Sequence, residues 1–318
     1  MANRRLFSSS HILLLCLALT LVFCFYLARY PLPDSTQCQC PPKESDSVQT
    51  DVRTVQTPAT VDRFKSNHTL AVVVPLRDRF EELMEFVPHM HTFLNNQNVR
   101  HKIYVVNQVD NFRFNRASLI NVGFRESSEV CDYIAMHDVD LLPLNPALSY
   151  SYPENGPFHI AAPNLHPLYH YKTFVGGILL LKSSDFKLLN GLSNRYWGWG
   201  REDDEFYVRM RKAGIIVQRP QNITTGNKTF RHVHDRKRRP RDNKRYFDQR
   251  NKTRRLDRET GMSTVQYNIA SRRELTIDNA PVTILNVKLI CDVQSTPWCL
   301  QPEDHEWYLQ NYSQNNVQ

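Results

Sequence analysis

The sequence predicts an α/β fold with a mostly parallel sheet. Apolar runs at Leu70–Val74, Lys102–Val106 and Asp132–Met136 recur at roughly 30-residue intervals. Segments of helical spacing, Glu81–Leu94 and Ser118–Arg125, lie between them. That alternation is the β-α-β rhythm of a parallel sheet. The runs stop in polar loops, at Pro75–Arg79 and at His137–Asp140. Ligands of such sheets bind beyond the carboxyl ends of the strands, so both loops should face one crevice.

The chain has 318 residues, room for one large domain or two small ones. Its 41% hydrophobic and 23% charged content excludes a wholly disordered chain and a multi-span membrane protein. No internal repeat of solenoid or propeller length is present. The net charge is +8, but Arg231–Arg258 holds 13 Lys/Arg against 4 Asp/Glu. One segment is basic and the remainder is nearly neutral, so nucleic-acid binding is not indicated. That segment reads as a solvated loop or as a lid that orders over a bound ligand.

Ile12–Leu27 is an uncharged apolar run preceded by Arg4 and Arg5. As a helix it spans about 24 Å, a short crossing of a thin bilayer. No small-residue cleavage pair stands near its end, at Tyr26-Leu27-Ala28-Arg29, so an uncleaved signal anchor is expected. The expected layout is a cytoplasmic tail at 1–10, a membrane helix at 11–28, a stem at 29–65 and a lumenal domain at 66–318. The stem stretch is rich in Pro, Ser, Thr, Gln and Asp and lacks apolar periodicity. Five Asn-X-Ser/Thr sequons, at Asn67, Asn222, Asn227, Asn251 and Asn311, agree with translocation. In an oxidising lumen, Cys291 and Cys299 are the favoured disulfide pair. Cys131 reads as a buried thiol, and Cys38 and Cys40 as candidates for cross-linking two chains. No cysteine spacing indicates zinc.

Further along, Gly177–Leu181 is a strand, and Ser183 or Ser184 should cap a short helix that Gly191 ends. Glu202–Ala213 has acids in its first turn, bases in its last and Gly214 behind it, so it reads as a helix. Ile215–Val217 and Phe230–His234 are expected as short strands, and Val282–Cys291 as a final, hairpin-paired strand.

Four constellations carry chemistry. Asp138 and Asp140 alternate after an apolar strand, which suggests a divalent cation bridging a diphosphate. His232 and His234 alternate likewise, and imidazole with carboxylate suits Mn²⁺ better than Ca²⁺. Solvated histidines beside a basic loop are the bland alternative, but with Asp140 they make a credible three-ligand site. Trp197-Gly198-Trp199-Gly200-Arg201-Glu202-Asp203-Asp204 offers a flat face for a sugar ring and carboxylates to accept a hydroxyl proton. A helix start that favours acids is the alternative there. Arg77 and Arg79, and Arg116 after Phe114, are available for a phosphate or a base.

These residues, in the order PLRDR, FNRA, HDVDLLP, FVGG, WGWGREDDEF and HVHD, resemble the β-1,4-galactosyltransferases over about residues 66–300. Most members read WGWGGEDDD and carry Met before the metal His. Arg201 and His232 stand at those places here, as in the branch that galactosylates xylose on proteoglycan core proteins. The resemblance implies a GT-A fold, UDP-galactose as donor, Mn²⁺ as cofactor and a type II Golgi membrane location. It implies metal binding by Asp140, His232 and His234. It puts Pro75, Arg77, Arg79, Phe114, Arg116, Asp138, Val139, Gly177, Trp199 and Glu202 at the donor. It puts Tyr169, Tyr171, Trp199 and Asp204 at the acceptor, with Asp203 as catalytic base and Gly176 giving the backbone room to approach. Phe174 replaces the usual Tyr before the glycine pair. Two other readings stay open at this point. One is transfer to N-acetylglucosamine, or from UDP-N-acetylgalactosamine; the other is a membrane-anchored lectin or heparin-binding protein.

Overall fold

The computed structural model describes residues 9–29, 67–254 and 256–312. The chain divides into two units between Thr60 and Val61. In the first, the apolar run forms helix α1, Ser9–Arg29, and its described apolar side chains, Leu17 to Tyr26, are exposed. Among the described residues no helix is long and apolar enough to cross a membrane. Residues 1–8 of the expected tail at 1–10 and most of the stem, with Cys38 and Cys40, lie outside the described residues.

In the second unit, β1 (Leu70–Leu76), β2 (His101–Gln108) and β3 (Tyr133–His137) pair in parallel, β1 in the middle. β1 is buried on both faces, as a central parallel strand should be. Its alternate residues Leu70, Val72 and Val74 pack with Leu83, Phe86 and Met90 of α2, Phe80–Asn96. Ala71 and Val73 pack on the other face with Leu119, Ile120 and Val122 of α3, Arg116–Ser127. Gly123 lets α3 approach closely, since a Cβ there would stand 2.3 Å from Val73 Cγ1.

The sheet is parallel only at its centre. β6 (Ile178–Lys182) pairs antiparallel with β3, and β5 (Phe158–His159) antiparallel with β6. At the other side β9 (Ala280–Leu289) joins β2 in parallel and carries the antiparallel edge strand β8, Tyr267–Ile277. The order is β5-β6-β3-β1-β2-β9-β8. The expectation of a mostly parallel sheet thus holds for the core, and antiparallel margins are added. β8 had no sequence signal, because most of its side chains are exposed and none need alternate. A second, two-stranded sheet joins β4 (Leu141–Pro143) to β7 (Phe230–His232).

Smaller differences have local causes. Lys182, not a serine, precedes α4 (Ser183–Leu188), and no side chain caps it; Gly191 does end that turn at φ +59°. Ile215–Val217 forms no strand, and only Gln218 bridges to Phe158. Glu202–Lys212 is helix α5, with Gly214 at φ +72° behind it. Cys291 and Cys299 form the expected disulfide, and Cys131 is a buried free thiol. Two short elements complete the unit, α6 (Gln249–Lys252) and α7 (His305–Tyr312).

Candidate active site

The loops after β1, β2 and β3 open into one pocket of about 560 Å³. Pro75, Arg77 and Arg79 reach it from β1, Phe114 and Arg116 from the start of α3, and Asp138, Val139 and Asp140 from β3. Tyr169, Tyr171, Phe174, Gly176 and Gly177 form another side; Trp199, Glu202, Asp203, Asp204, His232 and His234 complete it. Every residue assigned from the sequence therefore lines the same cavity.

Arg116 is placed by helix capping. The Asn115 side chain accepts from the Ser118 amide at 2.9 Å, which starts α3 at Arg116. Arg116 Nε then donates to Asp138 at 2.7 Å, and Nη1 lies 3.5 Å from Glu202. Burial opposes its charge, but Asp138, Glu202 and Asp203 outweigh that and raise its pKa. Arg77 is committed differently. It donates to the carbonyls of Phe112 (2.6 Å) and Asp110 (3.0 Å), and so braces the loop after β2.

Asp138 and Asp140 do not extend β3; they occupy the turn after it. The β4–β7 ladder does the gathering. It sets Leu141 opposite His232, and the Val233 amide donates to the Asp140 carbonyl at 2.9 Å. Asp140 Oδ2 then lies 3.3 Å from His234 Nδ1, and the His232 and His234 rings stand 5.7 Å apart. Burial works against the Asp140 charge, yet His234, His232 and Arg79 hold its pKa below the usual carboxylate range. Burial lowers the His232 pKa, which keeps that ring neutral. Among the described residues no three His, Cys, Asp or Glu side chains already stand as a metal-binding group. The donor set still fits one: His234 Nε2 is buried with no partner. Nδ1 faces Arg79 Nη1 as well as Asp140 Oδ2, each at 3.3 Å, and the tautomer that donates to Asp140 would leave a lone pair on Nε2, as a metal-ligating histidine has.

The carboxylates of the third motif sit in the first turn of α5, which no side chain caps. Arg201 precedes it in the left-handed region, φ +78°. Asp203 accepts from the Asp204 amide at 2.9 Å. Its pKa is pushed up to about 8, by burial first and then by Glu202 and Asp204. Gly176 makes room for it, since a Cβ there would stand 2.5 Å from Asp203 Oδ2. Tyr171 lies beside Asp204 in the pocket lining, and burial with the Asp203 and Asp204 charges raises the phenol pKa. Phe174, in the place of the usual Tyr, packs on His159, His166, Tyr169 and Tyr171.

Trp199 is 43% exposed at the rim. The basic segment lies against it: Arg241 stacks over its ring at 4.6 Å, and Arg245 donates to its carbonyl at 2.8 Å. Arg239 reaches Glu82 at 3.1 Å and Glu81 at 2.7 Å. Sequence reasoning missed Arg241, Arg245 and His166 as pocket residues, and missed the Arg113–Asp242 pair that holds the rim. Nothing in the basic run distinguishes its pocket arginines from its solvated ones. Burial holds the His166 pKa at about 3, so its Nδ1 accepts the Leu168 and Tyr169 amides.

A half-buried carboxylate in one pocket with an exposed indole and a metal-type donor set suits transfer of a sugar from a nucleotide. Known proteins agree with that geometry. The family signature described as "N-terminal region of glycosyl transferase group 7" matches residues 37–153. The one described as "N-terminal domain of galactosyltransferase" matches residues 156–233. Human beta-1,4-galactosyltransferase 7 is 62% identical over 232 residues, 73% of this chain and 71% of that one. The Caenorhabditis elegans xylosylprotein 4-beta-galactosyltransferase is 50% identical over 241 residues, 74% of this chain and 83% of that one. The catalytic domain of Drosophila beta-1,4-galactosyltransferase 7, solved with xylobiose, superposes with a TM-score of 0.72 at 62% identity. The match covers 73% of this chain and 98% of that one. A mutant of the fly enzyme, solved with manganese, UDP-Gal and xylobiose, superposes equally, at 61% identity over 73% and 99% of the two chains. With the signatures, the relatives and the pocket in agreement, this chain belongs to the β-1,4-galactosyltransferase family.

Proposed function

We propose that the protein transfers galactose from UDP-galactose to the 4-hydroxyl of xylose on proteoglycan core proteins, with inversion and with Mn²⁺. One observation carries the reading. Asp203 is half-buried against Gly176 in the same pocket as the exposed Trp199 and the Asp140, His232 and His234 donor set. The worm relative, named for galactose transfer to a xylosylprotein, the human relative, named a β-1,4-galactosyltransferase, and the fly complex with manganese, UDP-Gal and xylobiose support it.

Asp140, His232 and His234 would hold the ion. When bound, Mn²⁺ supplies Lewis-acid neutralisation of charge on the departing diphosphate. Arg116 keeps Asp138 and Glu202 in place on the donor side. Trp199, Tyr169 and Tyr171 give the acceptor sugar an apolar seat, and Asp204 is available to its hydroxyls. Asp203 accepts the proton of the xylose 4-hydroxyl as that oxygen attacks galactose C1 from the face opposite UDP. One displacement on an α-donor yields a β-linkage.

The remaining assignments belong to the same proposal. The protein is a single-pass type II protein of the Golgi membrane, anchored by α1 through residues 11–28, with a stem at 29–65 and the catalytic domain lumenal. The apolar exposed face of α1 supports this, as do the disulfide and the exposed sequons Asn67, Asn222, Asn251 and Asn311.

The test is UDP release by the full-length chain in detergent, with UDP-galactose and a β-xyloside or N-acetylglucosamine, in Mn²⁺ or EDTA. Xyloside turnover that EDTA abolishes is expected. Turnover with N-acetylglucosamine alone would overturn the acceptor. Xyloside binding with no UDP release would favour a lectin.

A further inference from the structure

Behind the pocket wall that carries Tyr171 and Gly176 lie two polar groups that touch no reacting atom. His159 is fully buried on β5, and its Nε2 lies 2.8 Å from the Gly176 carbonyl. A carbonyl only accepts, so Nε2 carries the ring proton. Nδ1 is buried without a partner, which leaves the Gly176 contact as the hydrogen bond that the ring makes. Arg219 approaches the same segment and donates from Nη2 to the carbonyls of Lys172 (2.8 Å) and Phe174 (3.3 Å). Its Nε is also buried and unpartnered. Buried polar atoms without partners are rare, and an apolar side chain would fill either place without that penalty.

The front of this segment touches the chemistry. A Cβ on Gly176 would stand 2.5 Å from Asp203 Oδ2 and 2.7 Å from Phe174 Cε2, so wall and carboxylate are in contact. Tyr171, in the same segment, lies beside Asp204 in the pocket lining. Three carbonyls are held from behind while the front of the segment abuts Asp203.

We propose that His159 and Arg219 are positioning residues for Asp203, holding residues 172–176 against it at the distance the proton transfer requires. The proposal rests on the transferase reading above and adds the groups that set its geometry. Misplacing a reacting group by about 1 Å costs on the order of 100-fold in rate, so the brace should act on turnover.

The experiment compares full-length His159→Phe, which keeps an aromatic ring but no donor, with His159→Gln, whose amide nitrogen reaches the Nε2 position. UDP release from UDP-galactose and a β-xyloside with Mn²⁺ gives kcat and both KM values, and thermal melting gives stability. The expected result for His159→Phe is a fall in kcat of about 10- to 100-fold with the donor KM unchanged. His159→Gln should recover most of that loss. Arg219→Met should lower kcat in the same way, and supplies the answer if His159→Phe does not fold. Wild-type kcat in both His159→Phe and Arg219→Met would overturn the proposal. So would equal losses of kcat and melting temperature in His159→Phe and His159→Gln, the mark of a merely structural role. Silence of the wild type with every acceptor would instead overturn the transferase reading, and this inference with it.

Discussion

The Arg113 guanidinium occupies the space where Gly198 would otherwise have a side chain. A Cβ on Gly198 would stand 2.1 Å from Arg113 Nη2, and the Gly198 backbone lies at φ +82°. Arg113 is buried and binds Asp242 through two nitrogens, at 2.6 and 2.8 Å. Asp242 in turn accepts the Trp199 amide at its carbonyl, at 2.8 Å. The glycine before the rim tryptophan is thus what lets the basic segment seat against it.

Gly198→Ala should break that seat. Removing one side of a buried ion pair costs about 3–5 kcal/mol, and the lower figure applies because the Asp242 side chain is 41% exposed. About 3 kcal/mol is a drop of roughly 6–12 °C in melting temperature for a domain of this size. Thermal melting checks it. An unchanged melting curve would show that Arg113 finds another partner without cost.

Asp203→Asn should fold, bind UDP with Mn²⁺ and lose about 10²–10⁴-fold in turnover. It should also change the dependence of stability on pH. Burial raises the folded pKa to about 8, above the ordinary aspartate value. Between those two values the folded state binds the extra proton, so this group makes stability fall as pH rises towards 8. The asparagine keeps the hydrogen bond from the Asp204 amide and cannot ionise. Melting temperature against pH should therefore fall less steeply in the variant, and parallel curves would refute the raised value.

His234→Ala removes the donor whose Nε2 is buried and unpartnered. The Mn²⁺ concentration for half-maximal turnover should rise by at least about tenfold, with little change in melting temperature of the metal-free protein. An unaltered Mn²⁺ titration would remove His234 from the ligand set.

Arg241→Ala removes the cation stacked at 4.6 Å over Trp199. Such a stack is worth about 0.5–2 kcal/mol, so the acceptor KM should rise roughly 2- to 30-fold while the donor KM holds. Initial rates over both substrates check this. A rise confined to the donor would mean that the stack organises the nucleotide side instead.

What depends on neighbours within a few residues was legible from the order of residues. β1, β2 and β3 announced themselves through apolar runs, whole in β1 and central in β2, as strands covered on both faces require. α5 was legible from acids at its start, bases at its end and Gly214 behind, each answering the helix dipole or its terminus. The carboxylate and histidine pairs pointed to chemistry only when taken together, since either pair alone also fits a solvated turn or loop.

Which of these groups meet depends on the path of the folded chain. Asp140 joins His232 and His234 through the β4–β7 ladder, whose strands are three residues each and too short to show a period. Arg113 finds Asp242 across 129 residues, and His159 finds Gly176 across 17, with no local mark on either side. The solvent-exposed edge strand β8 left no apolar pattern to read. Local pattern reports what each residue can do with its neighbours. Partner choice is set by the path of the whole chain and by burial, which makes an enclosed polar group without a mate costly.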